Sequence, residues 1–192
     1  MTETCPECGS AVPEGGSCRD HFHALLLLES QIPGGPGLLP HFYAVATYGL
    51  QHPRAMNYTA DTLIGLRGAV ADALDGRATI DELRRRARRG AEAAGRVTRR
   101  KGDAEVRWRV GGWPMTVADV LKSEPCADAY AERVTAWARS VRETLDEDGI
   151  DASPRAAADS ARAGGRGSGA TGSVRGTRAD RRAWPLGDCP GA

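Results

Sequence analysis

The chain has 192 residues, 26 basic and 25 acidic side chains for a formal charge of +1, and 24 glycines. Its 41% hydrophobic content is enough for a buried core, yet no apolar run approaches the ~18–20 residues of a membrane span, and Leu25–Leu28 follows an acidic, cysteine-bearing stretch unlike a secretory signal. An odd count of five cysteines argues against a closed disulfide framework and makes a reducing cytoplasm the expected compartment, while the near-neutral total removes the simple case for nucleic-acid binding.

In chain order the pattern is mainly helical. After a cysteine-bearing entry, Cys18 to Ser30 reads as a helix with Phe22, Leu25, Leu26 and Glu29 on or near one face, ended by the turn-forming run Ile32 to Gly37. A second helix is expected over His41 to Gln51, stopping before Pro53. A third carries Leu63, Leu66, Val70 and Leu74 as a one-faced stripe. A fourth begins with Thr79 and Glu82 as a capping box and presents Ile80, Leu83, Ala87, Ala91 and Ala94 as a narrow inner face. Val106, Trp108 and Val110 alternate with arginines, the period of a short strand or hairpin near 104–110. Thr116 and Asp119 open a short helix with Val117, Val120 and Leu121. After Pro125 a last helix puts Tyr130, Val134, Trp137, Val141 and Leu145 on one side. From about Asp151 the composition is mostly Ala, Gly, Arg, Ser and Thr, which buries too little to order itself; Trp184, Leu186 and Cys189 are isolated there. The expected architecture is one helical domain over 1–150, with a Cys/His-rich part to 53 and a helical part beyond it, and a disordered tail over 151–192.

The neutral charge is a cancellation. Residues 1–53 carry net −4, 54–83 net −2, 84–101 net +8, 102–150 net −4 and 151–192 net +3. Metal-binding residue types are segregated as well: all four histidines and three of the five cysteines lie in the first 53 residues.

Cys5-Pro6-Glu7-Cys8-Gly9 has the spacing that puts two thiolates on one tetrahedral zinc at ~2.3 Å. Proline restricts the turn, and glycine allows the positive φ that points N–H groups at the sulfurs. A thioredoxin-like redox pair is the rival, but that motif follows a strand and opens a helix. Cys18, beyond a Gly-rich loop, is the natural third ligand. His21 is the local candidate for the fourth, since Cys18-x2-His21 resembles half of a short zinc finger, whereas His23 reads as a surface residue. His41 and His52 are remote candidates. They share a helix face but stand ~16 Å apart along it, so one ion cannot take both while the helix persists.

These motifs carry a resemblance. The ordered set Cys-Pro-Glu-Cys-Gly, Cys18-x3-Phe22-x2-Leu25-Leu26-x2-Glu29 and His41-x3-Val45-x2-Tyr48-x2-Gln51-His52-Pro53, with Trp113 to Val120 and Val134-x2-Trp137-Ala138 later, resembles an uncharacterised bacterial family, a domain of unknown function. The match spans roughly residues 5–145. It implies weight on Cys5, Cys8, Cys18, Glu29, His41, Gln51, His52 and Pro53, and none on His21 or His23. Where that family usually has an acid, this chain has Ala46. No activity comes with the resemblance.

Each highlighted residue also has a plain structural reading. A histidine at a helix end, as His52 is, often only meets the last carbonyls. His41 is readable as a hydrogen-bonded structural residue, Glu29 as its buried acid partner or as the helix's wet edge, and Tyr48 as core. Residues 84–101 read as a solvated face or as a contact for an acidic partner; with no aromatic in the run, a base-stacking platform is absent. The leading expectation is a zinc-binding helical module with three cysteines and one histidine on a structural ion, acting through a protein partner. The alternatives are a metal-dependent enzyme of hydrolase or thiol-transfer type using His41, His52 and Glu29, with Tyr48 and Gln51 in support, and a nucleic-acid module using the basic helix.

Overall fold

The computed structural model describes residues 3–12, 14–101, 103, 106, 108, 110, 112–122 and 126–148. Its first element is a hairpin in which β1 (Glu3–Thr4) and β2 (Ala11–Val12) pair antiparallel, Glu3 opposite Val12 and Thr4 opposite Ala11. Between them the chain reverses on two bonds of 2.9 Å, Cys5 N–H to the Ser10 carbonyl and Gly9 N–H to the Cys5 carbonyl. Gly9 sits at φ 75°, a left-handed conformation that a side chain would strain. Two-residue strands are not stable alone in water. What holds the hairpin is therefore what its loop touches.

Helix α1 (Cys18–Gln31) opens on a capping box, with the Asp20 carboxylate accepting from the Ser17 N–H and hydroxyl at 2.7 and 2.8 Å. It ends before a turn in which Gly34, Gly35 and Gly37 all have positive φ. Helix α2 (Leu38–Gln51) starts three residues before the expected His41. Pro40 falls in its first turn, where an N–H would have no intrahelical acceptor, so proline costs the helix nothing there. Helix α3 (Ala60–Leu74) is capped by Thr59, whose hydroxyl accepts from Thr62 N–H. Helix α4 (Ile80–Ala94) carries the expected Thr79–Glu82 box and closes at Gly95 in the left-handed region. The Thr116–Asp119 box opens α5 (Val117–Val120), and α6 (Ala127–Asp148) is the longest element.

The core is built on α6, which packs chiefly against α2 and then α3. Its stripe of Tyr130, Val134, Trp137, Val141 and Leu145 is wholly buried, as the spacing predicts. At about 1.5–3 kcal/mol for each large apolar side chain removed from water, this stripe is a major source of cohesion. Gly49 of α2 is required by proximity: a Cβ there would lie 3.0 Å from a ring carbon of Tyr58, so its absence lets the Tyr58 ring close on the helix.

One expectation changes, and another falls largely outside the described residues. Of the inner face proposed for α4, Leu83 is buried and Ile80 half-buried, but Ala87 and Ala91 are exposed, and the Ala94 side chain lies outside the described residues. Their short side chains do not reach across to α3, which presents Gly65 and Gly68 on its facing side. The two-stranded sheet lies at residues 3–12. In the alternating segment 104–110, residues 104, 105, 107 and 109 lie outside the described residues, while Val106 is buried and Trp108 and Val110 are half-buried against the core. The proposed tail over 151–192, with Trp184, Leu186 and Cys189, also lies outside the described residues. Among the described residues no helix is long and apolar enough to cross a membrane.

Candidate metal centre

Four side chains of metal-ligating type converge where the hairpin loop meets the start of α1 and the end of α2. Cys5 and Cys8 come from the loop, Cys18 is the first residue of α1, and His52 is the C-cap of α2. One donor atom from each, three sulfurs and an imidazole nitrogen, lies within 4.8 Å of all the others, and all four residues are buried. Cys8 Sγ is 3.4 Å from Cys18 Sγ, and His52 Nε2 is 3.1 Å from Cys18 Sγ. The three cysteines are free of disulfides.

The histidine is held in the form a metal needs. Its Nδ1 lies 2.9 Å from the Tyr48 carbonyl oxygen. A carbonyl only accepts, so Nδ1 carries the proton, and in the neutral ring the lone pair is on Nε2, facing the sulfurs. The ring also stacks on Tyr48 at 4.0 Å, and Tyr48 stacks on Phe22 at 4.1 Å. An aromatic sandwich from α1 and α2 thus fixes the plane of the imidazole.

The electrostatics of the cluster call for a cation. Hydrogen bonding to the Cys5 and Cys8 sulfurs, then burial, pushes the Cys18 thiol far up, while the same contacts from Cys18 and Cys8 pull Cys5 down. One thiolate is tolerated there, but three buried thiolates are not unless a positive charge sits among them. Burial opposes charging His52, but the hydrogen bonds its protonated ring donates to the Cys5 and Cys8 sulfurs outweigh it and lift the imidazole to about 9. A divalent ion would replace that proton and those of the thiols. Three sulfurs and one nitrogen are the donor set of a closed tetrahedral zinc site. The residues fit that ion.

A clamp that the sequence did not suggest holds the loop. The Glu7 carboxylate accepts the backbone N–H groups of Arg54 and Ala55 at 2.8 and 3.2 Å, pinning the Cys-Pro-Glu-Cys turn to the chain just after His52. Trp113 Nε1–H donates to the Glu7 carbonyl at 2.9 Å. The glutamate lies between two cysteines in sequence, and nothing in its spacing points to the end of α2. Gln51, one residue before the histidine, is fully buried: its Nε2 donates to the Met115 carbonyl at 2.7 Å, and its Oε1 accepts from Trp137 Nε1 at 3.1 Å. Gln51 therefore fixes the end of α2 against α6 and the segment before α5.

The other candidates sit elsewhere. His41 Nδ1 is 2.7 Å from Glu29 Oε2, and Glu29 Oε1 accepts from the buried Tyr130 hydroxyl at 2.5 Å. Glu29 is thus the buried acid partner of His41, eleven residues along α1 from Cys18, or ~16 Å. His21 is half-buried with no hydrogen bond to Nδ1, and His23 is exposed; neither belongs to the cluster. Ala46 is buried within α2. The structure brings His52 to the cysteines and leaves His41 and Glu29 as a separate pair, so a single centre made of His41, His52 and Glu29 has no geometric basis.

No curated protein is similar to the chain at a significant level. No solved structure is either. A family model does match, over residues 3–146, a span that takes in the cysteine loop, Glu29, His41, His52 and all six helices but for the last residues of α6. The chain belongs to the Family of unknown function (DUF5946).

Proposed function

We propose that the protein is a zinc-binding module in which Cys5, Cys8, Cys18 and His52 hold a structural ion, and that it works by binding a partner protein. The observation that carries this reading is the convergence of four buried donors, with the His52 proton held on Nδ1 and its Nε2 turned to the sulfurs. Four protein ligands leave no open position for water or substrate, which favours a structural over a catalytic ion. The cavity beside the loop, bordered by Glu7, Gln51 and Trp113, has about 190 Å³, below the ~300 Å³ where ligand clefts usually begin.

Structural metal also answers a local need. Between residues 3 and 17, Val12 is the sole large apolar side chain, so burial alone has little with which to fix the hairpin. The enzyme alternative has less support, because His41 and His52 face different partners. The nucleic-acid alternative rests only on the charge of residues 84–101.

Elemental analysis of protein expressed with zinc should find about one zinc per chain. His52→Ala should lose it, and His41→Ala and His21→Ala should retain it. Zinc-free protein, or His52→Ala that keeps full zinc, contradicts the assignment.

A further inference from the structure

Away from the metal, α3 and α4 leave a trough between them. It has a volume of about 550 Å³ and is lined along α3 from Asp61 to Asp72 and along α4 from Ile80 to Ala91. Eleven residue steps on each helix make it ~16 Å long. Its surface is apolar, formed by Leu66, Ala69, Ile80, Leu83, Ala87 and Ala91.

Glycines widen it. Gly65, Gly68 and Gly90 all line the trough. None has the positive φ that demands glycine, and a Cβ built on any of them meets no atom within 4 Å. Glycine is the poorest helix former after proline, so neither backbone conformation nor internal packing accounts for these three in helix interiors. They account for a channel that admits a close neighbour.

Charge says what kind of neighbour. On the α4 side Arg84 lies on the wall, and Arg88 stands one turn further along. Arg84 has only a 3.9 Å contact with exposed Asp81, and among the described residues no carboxylate pairs with Arg85, Arg88 or Arg89. On the α3 side Asp72 is already taken by Arg77 and Arg86. One edge of the trough is therefore strongly basic, and the other is weakly acidic, with Asp61 at its end. The chain's own C-terminal segment suits it poorly, because Arg181 and Arg182 stand beside Trp184 and the segment is net +3. A second copy placed groove to groove would bring the α4 arginines together when the two-fold axis crosses the trough; an axis along the trough would set α4 over α3, and that arrangement is what the dimer measurement below tests.

We infer that the α3–α4 trough is a docking groove for an amphipathic helix of a partner protein, one that lays a leucine-type stripe on the apolar floor and a row of carboxylates along the α4 edge. This deepens the binding-module reading and rests on it, but it makes no use of the metal. Apolar side chains at helical spacing supply the contact, and the carboxylate edge sets direction and selectivity.

The test uses the full chain, with zinc content measured in the same samples. The probe is a fluorescent synthetic helix of about 18 residues (~27 Å) with leucines at i, i+3 and i+7, glutamates on one flank and glutamines on the other. Fluorescence anisotropy should show saturable binding that weakens from about 50 to about 300 mM salt. A peptide with lysine for each glutamate should bind at least ~10-fold more weakly. Ala87→Trp should fill the trough and abolish binding while the helical circular dichroism is unchanged. Should that variant fail to fold, Arg84→Glu with Arg88→Glu, both at surface positions, should reverse the preference towards the lysine peptide.

Equal binding of the two peptides, or undiminished binding by Ala87→Trp, overturns the proposal. So does a concentration-dependent dimer that Ala87→Trp abolishes, which assigns the trough to a second copy, or tighter peptide binding by Trp184→Ala, which assigns it to the chain's own terminus. Zinc-replete protein that ignores the peptide contradicts the groove alone, and zinc-free protein that binds it contradicts the metal centre alone.

Discussion

Two histidines eleven residues apart on α2 have opposite surroundings. His52 is wholly buried, stacked on Tyr48 and turned to three sulfurs; the His41 side chain is half exposed and turned to one carboxylate. Their substitutions should therefore separate. His41→Ala removes a partly exposed charge-assisted bond and should cost about 1–2 kcal/mol by denaturant unfolding, with zinc content unchanged. Tyr130→Phe leaves the buried Glu29 carboxylate without its second donor and should cost about 1–3 kcal/mol, again with full zinc. Loss of zinc from either variant would mean that the Glu29 pair and the metal site are one unit. Glu7 offers a graded case: Glu7→Gln keeps one acceptor but sets an amide NH2 against the second backbone N–H, so the seat of Cys5 and Cys8 should weaken, and Glu7→Ala, which frees both N–H groups after Pro53, should weaken it further.

At the scale of elements, the α3–α4 pair makes a claim about stability. Gly65, Gly68 and Gly90 occupy helix interiors with open space where a Cβ would go. Alanine at each should stabilise the fold by about 0.5–1 kcal/mol, read as a higher urea midpoint at unchanged slope. Gly49→Ala should do the reverse, because its Cβ would press on the Tyr58 ring at 3.0 Å in a closely packed contact. A stabilising Gly49→Ala would show that the ring can move aside freely.

These elements also show what the sequence could express. The α6 stripe was fully legible, since five apolar residues at helical spacing have one economical arrangement, burial on one side. The caps at Thr79 and Thr116 were legible because the reciprocal bonds are local, three residues apart. The exposed alanines of α4 were not. Periodicity says which residues share a face, and only the glycines of the facing helix decide whether that face is covered. The early start of α2 was obscured by Pro40, which breaks helices in their interior but not in their first turn.

The candidate metal centre was legible in its cysteines and open in its histidine. Three cysteines and several histidines in one acidic quarter of the chain mark a metal-binding segment, but the fourth ligand depends on how α2 crosses α1, which no local spacing encodes. The resemblance that stressed His52 over His21 agrees with the crossing found. Glu7 and Trp113 stayed invisible for the same reason: their bond joins residues 106 positions apart. The basic segment after Arg84, hidden in a total of +1, regains meaning only beside an apolar trough.

For the whole molecule, stability divides in two. The α2–α3–α6 core rests on apolar burial, whereas the hairpin, on the proposal above, rests on the metal and on the Glu7 clamp. Chelation should therefore expose residues 3–12 to amide exchange while Val134, Trp137 and Val141 stay protected; simultaneous exchange of both regions would make the metal essential to the entire fold. The central claim is the identity of the four ligands. X-ray absorption at the zinc edge of the purified full chain should give three sulfurs at ~2.3 Å and one nitrogen at ~2.0–2.1 Å, with the nitrogen lost in His52→Ala. A shell dominated by oxygen or nitrogen, or a spectrum that His52→Ala leaves unchanged, would contradict it.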